Sequence, residues 1–269
     1  SLGNDGGDPM TPTGKSDRAT RIGVIGLGRF GRLMIRYLAQ DFTVTVFDRR
    51  GRSDEIEALG GVLGSLASAS GCDVVIPAVP ISAMEEILGQ IAALLRPDCL
   101  VVDVCSVKVF PVQWMRRWLP DSVAILASHP MFGPDSAATS LTGRKIVLCP
   151  ERIEKARYDK IASYLKSKGL VVIKSTPKAH DRQIAVTLAL THFIGRSLDE
   201  FGAKALAVDT EGYQRLLHTL EVVTHDTWQL FADMYRYNPY AGQEMRDFLS
   251  AAQRIAQRLE TQADEMPTF

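Results

Sequence analysis

An α/β fold, a doubly wound parallel sheet followed by an all-helical segment, is what three features of the sequence predict. From Arg21 onward, short β-branched runs alternate with longer amphipathic ones. The β runs are apolar almost throughout, as strands covered by helices on both faces must be, whereas a sheet with one wet face would alternate polar and apolar residues. After Pro177 no β-rich run recurs, and apolar residues return at helical spacing instead.

Residues 1–20, SLGNDGGDPMTPTGKSDRAT, are rich in Gly, Pro, Asp and Thr and lack an apolar core, so a disordered tail is expected there rather than a signal sequence. RIGVIG opens the sheet, and Phe30 to Gln40 is the first helix. TVTVFD, CDVVIPAVP, LVVDV, VAILA, KIVLC and LVVIKS supply the later strands, with Ser82 to Leu95 a helix between the third and fourth. Residues 21–176 are therefore read as one domain and 177–269 as a second. In the second, Ile184, Leu188 and Phe193, then Leu216, Leu220 and Val223, mark apolar helix faces, and one helix is expected from about Tyr213 to Tyr235.

The 269 residues balance 31 basic against 31 acidic side chains, and 46% are hydrophobic. That is core material for two domains without a clustered positive field, so a small molecule is the expected partner and neither nucleic acid nor an anionic membrane is. No apolar run reaches the roughly 18 residues of a membrane-spanning helix. Cys72, Cys99, Cys105 and Cys149 lie in or beside apolar runs with no CxxC pair, which argues against zinc or disulfides. No metal is expected, and reduced core cysteines point to the cytoplasm.

GVIGLGRFG places Gly26, Gly28 and Gly31 in GxGxxG spacing between a strand and a helix. Missing side chains let the backbone approach a pyrophosphate held at the positive end of the helix, which makes the sheet a Rossmann-type dinucleotide domain. Arg29 and Phe30, inside the turn, are grouped with the cofactor set. Asp48 ends the next strand 22 residues after Gly26, where a carboxylate takes both ribose hydroxyls and favours NAD. Arg49 and Arg50 follow, and a guanidinium there suits a 2′-phosphate, so NADP stays open.

Parallel strands deliver the loops at their C-terminal ends to one edge. That edge collects the glycine turn, Asp48, Ala78, Val79 and Pro80, CSVK at Cys105 to Lys108, and His129. His129 directly follows a buried run and precedes the stiff PMFGP, so its direction is set. With an ordinary pKa near 6.5 it is mostly neutral at cellular pH and suits a general base for a carbinol; the other reading is a hydrogen-bonded structural histidine. Ser106 either bonds the same hydroxyl or the histidine, or caps a helix. Lys108 either joins the site or lies on the surface.

Together GLGRFG, AVP, DVCSVK, SHPMFGPDSA, THFIGRSL and TEGYQRLL resemble the prephenate and arogenate dehydrogenase family, nearer its plant-type arogenate branch, from Arg21 to about Asn238. The resemblance implies oxidative decarboxylation of a cyclohexadienol with hydride transfer to NAD or NADP. Arogenate would yield tyrosine, and prephenate 4-hydroxyphenylpyruvate. It implies His129 as proton acceptor, Ser106 as its positioning partner, and the helical domain as substrate floor and homodimer interface. Ser136, His192, Arg215 and Asp226 form the implied substrate set. His192 falls four and eight residues after Leu188 and Ile184 on a buried face, either as a ligand or as a satisfied core histidine. Gly195 stands where bacterial members carry a further histidine, which leaves Arg182 or Arg215 to hold the side-chain carboxylate.

On the expected helix Asp226 has Val222, Val223 and Leu230 as neighbours. A carboxylate in that company needs a partner. The ammonium of arogenate is one, an Arg or His of the interface another, and an acidic residue at the matching place in plant members favours arogenate. Within these residues no separate regulatory or mutase segment is recognised, so any feedback by tyrosine would have to act at the active site itself. Two other readings share part of the pattern. A β-hydroxyacid dehydrogenase or imine reductase would match GLGRFG and AVP, but the helical K-x-x-N pattern is missing and His129 is unexplained. A non-catalytic dinucleotide-binding redox sensor would make His129 structural.

Overall fold

The computed structural model describes residues 19–263, so the tail expected at 1–20 lies outside the described residues except for its last two. Eight strands form one sheet: β1 (Arg21–Ile25), β2 (Thr43–Phe47), β3 (Val62–Leu63), β4 (Val74–Pro77), β5 (Leu100–Asp103), β6 (Ala124–Pro130), β7 (Lys145–Arg152) and β8 (Val171–Lys174). Their order is β3-β2-β1-β4-β5-β6-β7-β8. The chain turns back between β1 and β4, and a crevice opens there at the strands' C-terminal edge. At two residues, β3 is too short to have shown as an apolar run.

The sheet departs from the all-parallel expectation at β7, which pairs antiparallel with β6. Residues 131–144 between them contain no helix, and a parallel pair needs a crossover. β7 reaches β8 through α6 (Lys155–Ser167), and that pair is parallel again.

Helices cover both faces. α1 (Arg29–Leu38) and α6 lie on one, α4 (Ile81–Ile91) and α5 (Val109–Trp118) on the other, while α2 (Ser53–Ala58) and α3 (Leu66–Ser70) flank β3. Successive strand residues point to opposite faces. In β6, Leu126 joins Ile146, Leu148 and Leu170 near α6, whereas Ile125 and Ala127 join Met84, Leu88 and Met115 of α4 and α5. His129 continues the second series, towards the C-terminal helices.

Those helices are α7 (Pro177–Ile184), α8 (Thr191–Phe201), α9 (Glu211–Thr224), α10 (Trp228–Arg236) and α11 (Ala241–Ala263). Met234, Leu230 and Phe231 of α10 pack into the α4–α5 core. Two buried aspartates tie the parts together by capping helices of the sheet. Asp181 accepts the N–H groups of Lys108 and Val109 at the start of α5, both at 2.8 Å. Asp233 accepts the Ser82 N–H at 3.1 Å and its hydroxyl at 2.8 Å at the start of α4. Carboxylates placed there meet unsatisfied N–H groups and the positive end of the helix.

The single helix expected from Tyr213 to Tyr235 is two, interrupted at 225–227. The Thr227 side chain accepts the Leu230 N–H and starts α10 afresh, a local bond that competes with continued helix. Between α7 and α8, Ala185–Leu190 forms a π-helical turn. Twelve residues of α-helix turn through about 1,200°, which would set His192 about 120° from His180. A π turn takes in about one extra residue and reduces that offset to about 20°. Both histidines are buried. Among the described residues no helix is long and apolar enough to cross a membrane.

Candidate active site

Gly26 leaves β1 at φ +107°, a conformation open to glycine, and a Cβ there would lie 2.5 Å from the Ala78 carbonyl oxygen. A Cβ on Gly31 would meet the Gly26 carbonyl oxygen at 2.7 Å, so α1 starts hard against the turn. Gly28 differs, since a Cβ there meets nothing within 4 Å. No side chain caps α1 at Gly28, so the N–H groups of its first turn lack a side-chain acceptor, as an anion site at a helix N-terminus requires. Ala78 and Val79 follow β4 beside this turn, and Pro80 directly precedes α4.

Asp48 accepts the N–H of Leu27 at 3.1 Å and of Arg50 at 3.0 Å, with Arg52 at 3.4 Å. Burial works against its charge, but those backbone donors and Arg52 outweigh it and hold the carboxyl below its ordinary value. Arg49 and Arg50 are exposed. Phe30 turns away from the glycines to pack against Phe132, ring centres 6.2 Å apart. It lines a largely apolar cavity of about 470 Å³ between α1, α6 and the sheet. The sheet separates that cavity from the face to which His129 points.

Arg29 spans the crevice. Its guanidinium donates to the His225 carbonyl at 2.8 Å and to Asp135 at 3.2 and 3.3 Å, and stands 3.7 Å from Asp226. It thus joins the glycine turn, the loop after β6 and the α9–α10 connection.

At the ends of β5 and β6, Lys108 is fully buried and its ammonium pairs with Asp103 and donates to the Ser128 carbonyl. Asp103 also accepts the Ser128 N–H at 3.1 Å and the Cys105 N–H at 3.2 Å. This lysine is internal, not on the surface. Ser106 caps no helix, because Asp181 takes the N–H groups at the start of α5. The Ser106 hydroxyl oxygen is buried with no hydrogen-bond partner in the protein.

His129 Nδ1 lies 2.9 Å from His180 Nε2, and His180 Nδ1 lies 2.7 Å from Asp181 Oδ1. Burial, with His180 and Lys108 nearby, pulls the His129 pKa well below the ordinary histidine value, so the ring is neutral. His180 and Asp181 were missed by sequence reasoning. The adjacent His-Asp pair just inside a helix was the available signal.

His192 stacks on Phe231 at 6.1 Å, its Nε2 is 3.6 Å from Asp226, and its Nδ1 is buried without a partner. Burial lowers its pKa, Asp226 opposing the shift and Arg196 adding to it. Asp226 is not in the apolar company expected of it. The helix break at 225–227 turns it towards Arg29 and His192, and its side chain is 35% exposed. Gly195 lets α9 approach α8, for a Cβ there would stand 2.5 Å from Val223. Ser136 is exposed and closes its own turn by accepting the Gly133 N–H at 3.0 Å. Arg215 pairs with Glu211 on the exposed face of α9, and Arg182 lies over the Tyr240 ring, so within one chain neither arginine reaches the crevice. All four cysteines are free and buried.

A family model described as prephenate dehydrogenase, nucleotide-binding domain, matches residues 42–174, and one described as TYRAAT1-like, C-terminal domain, matches 197–268. Arogenate dehydrogenase 2, chloroplastic, of Arabidopsis thaliana is 29% identical over 91% of this chain and 71% of its own length. A probable arogenate/prephenate dehydrogenase of Methanocaldococcus jannaschii is 29% identical over 86% of this chain. Residues 42–174 thus carry the nucleotide-binding domain of the prephenate dehydrogenase family. Its plant-type branch is represented by both Arabidopsis relatives. The chain spans 39% of Arabidopsis arogenate dehydrogenase 1 and 55% of the archaeal relative. In fold it is similar to Aquifex aeolicus prephenate dehydrogenase, solved with hydroxyphenyl propionate and NAD+, at TM-score 0.73 and 20% identity over 93% of this chain and 94% of that one. It is also similar to Synechocystis arogenate dehydrogenase, at TM-score 0.65 and 20% identity over 91% and 98% of the two chains. In this chain the glycine turn, Ser106 and His129 lie at the C-terminal ends of β1, β5 and β6, on one edge of the sheet.

Proposed function

We propose that this chain is an NAD-dependent dehydrogenase that oxidatively decarboxylates a cyclohexadienol, with arogenate favoured and tyrosine as product. The observation that carries the reading is His129, a buried neutral base at the end of β6, on the same sheet edge as the uncapped glycine turn. The residues fit a dinucleotide: Gly28 leaves room that no protein atom fills, the N-terminus of α1 suits the pyrophosphate, and Asp48 keeps lone pairs for ribose hydroxyls. A bound NAD supplies the hydride acceptor.

The chain's own residues orient the ring and manage one proton. His129 accepts the proton of the ring hydroxyl as hydride leaves the same carbon, and Ser106 steadies that oxygen. The ring carboxylate departs as carbon dioxide, its bonding electrons aromatise the ring, and the phenolate oxygen takes the proton back from His129. His192 and Phe231 form an apolar floor beside Asp226, and Asp226 receives the substrate ammonium once it exchanges its distant contact with Arg29. Ser136 and Arg215 remain in the substrate set only if loop closure or a second chain brings them in.

A homodimer through the helical part is supported by α11, where Phe248, Ile255 and Leu259 form an exposed apolar stripe and Leu259 is 63% exposed. Four free buried cysteines support a reducing compartment, taken here as the cytoplasm, although the Arabidopsis relatives are called chloroplastic. The deciding experiment offers arogenate and prephenate separately, each with NAD+ and NADP+, and follows nicotinamide reduction. Faster turnover of arogenate with NAD+ supports the whole reading, and no turnover of either substrate rejects it.

A further inference from the structure

We infer that His180 and Asp181 are positioning residues that set the tautomer of His129 and leave Nε2 as the basic atom, an inference whose catalytic meaning rests on the dehydrogenase reading above. The three side chains form a line: Asp181 Oδ1 to His180 Nδ1 is 2.7 Å, and His180 Nε2 to His129 Nδ1 is 2.9 Å. The two rings meet edge to face, centres 5.1 Å apart at 75°. All three side chains are buried, so water does not compete for these bonds.

The direction of the line follows from its far end. Asp181 already accepts the N–H groups of Lys108 and Val109, one on each oxygen, at the positive end of α5. A carboxylate has only acceptors to offer, so His180 must donate from Nδ1. A neutral imidazole with a proton on Nδ1 has its lone pair on Nε2, and that lone pair faces His129. His129 must then donate from its own Nδ1, and its Nε2 is left with the lone pair. The logic is that of a triad in which a buried carboxylate fixes the ring that fixes the reacting atom.

Each reaction cycle uses this arrangement twice. When Nε2 takes the hydroxyl proton, the new imidazolium donates more strongly from Nδ1 to His180, backed by Asp181. When the carbon–carboxylate bond breaks, the same proton returns from Nε2 to the phenolate oxygen, and no proton is gained or lost overall. The ammonium of Lys108, from the start of α5, disfavours charge on His129, and the Asp103 carboxylate beside it partly cancels that field. Because Asn238 donates to the Asp181 carbonyl at 2.9 Å, the line is also held from the start of α11, and docking of the helical part completes the base.

The test reads the tautomer directly, without substrate. The chain has 5 histidines, so ring nitrogen signals of the 15N-histidine-labelled protein are few enough to assign with the His129→Asn variant. At neutral pH the wild-type His129 ring should carry its proton on Nδ1. A proton on Nε2 overturns the inference. In a second measurement, His180→Gln should lower kcat by roughly 10- to 1,000-fold with little change in the KM for NAD+, and should move the acid limb of the kcat profile. A His180→Gln enzyme whose acid limb stays put, whatever its stability, also overturns it. A protein with the expected tautomer that oxidises neither cyclohexadienol would keep the positioning pair and lose the dehydrogenase reading.

Discussion

Replacing Lys108 by methionine leaves the Asp103 carboxylate buried without its cation. Both side chains of this pair are fully buried, and the lysine also holds the Ser128 carbonyl, next to His129. Removing one partner of a buried pair costs about 3–5 kcal/mol, because the remaining charge is desolvated and unpaired. For a chain of this size each kcal/mol moves Tm by roughly 2–4 °C, so Tm should fall by about 6–20 °C.

The loss should depend on pH in a defined direction. Burial already pushes the Asp103 carboxyl up, opposed by Lys108 and the N–H groups of Ser128 and Cys105. Without Lys108 that rise is less opposed. A carboxyl raised above its unfolded value of about 3.9 destabilises the fold as pH climbs through that value towards the folded one, so the deficit should be largest at neutral pH and shrink in acid. Urea unfolding at pH 5 and pH 7.5 measures this. The double variant Asp103→Asn, Lys108→Met carries no buried charge and should recover half or more of the loss. A deficit below about 1 kcal/mol at pH 7.5, or a double variant no more stable than the single, would refute the assignment of this pair as a buried clamp on β5 and β6.

Other outcomes follow from the same geometry. His129→Asn should retain NAD+ binding by calorimetry while kcat falls about 10²- to 10⁴-fold, the usual contribution of a general base. Because the base works neutral and its pKa lies well below 6.5, kcat/KM should stay level from pH 8 down past 6.5 and fall only in more acid solution; a midpoint at or above 6.5 would contradict the burial argument. Asp226→Asn should cost about 10-fold on arogenate and little on prephenate, since a half-exposed charged contact is worth about 1–2 kcal/mol. Equal losses on the two substrates would remove Asp226 from specificity. Gly28→Ala should unfold like the parent yet bind NAD+ at least about 10-fold more weakly, whereas Gly26→Ala should lose stability first, because its Cβ would meet the Ala78 carbonyl at 2.5 Å. The reverse pattern would show that the glycine turn serves packing.

The α/β class, the glycine turn, Asp48, and His129 at a sheet edge were all legible in the sequence, because each rests on local spacing. Near-continuous apolar runs report strands covered on both faces and a 3.6 period reports the buried stripe of a helix; β6 shows the first, with Ile125 and Ala127 buried on one face of the sheet and Leu126 on the other. The same local logic failed at Asp226. Its neighbours on an unbroken helix are apolar, but one threonine cap at Thr227 breaks that helix and turns the aspartate to Arg29. It failed again at β7, where direction depends on whether a helix fits in the connection.

Sequence alone thus determined what is encoded between near neighbours: the strand and helix periods, the glycines that only a close backbone approach demands, and the residue types able to do hydride and proton chemistry. Tertiary structure decided the partners. His129 meets His180 across 51 residues and Ser82 meets Asp233 across 151, and no pattern within one element signals either contact. A π turn of one extra residue decides which way His192 faces. These bonds form between groups with no water to satisfy them, so their choice depends on which elements the folded core presses together.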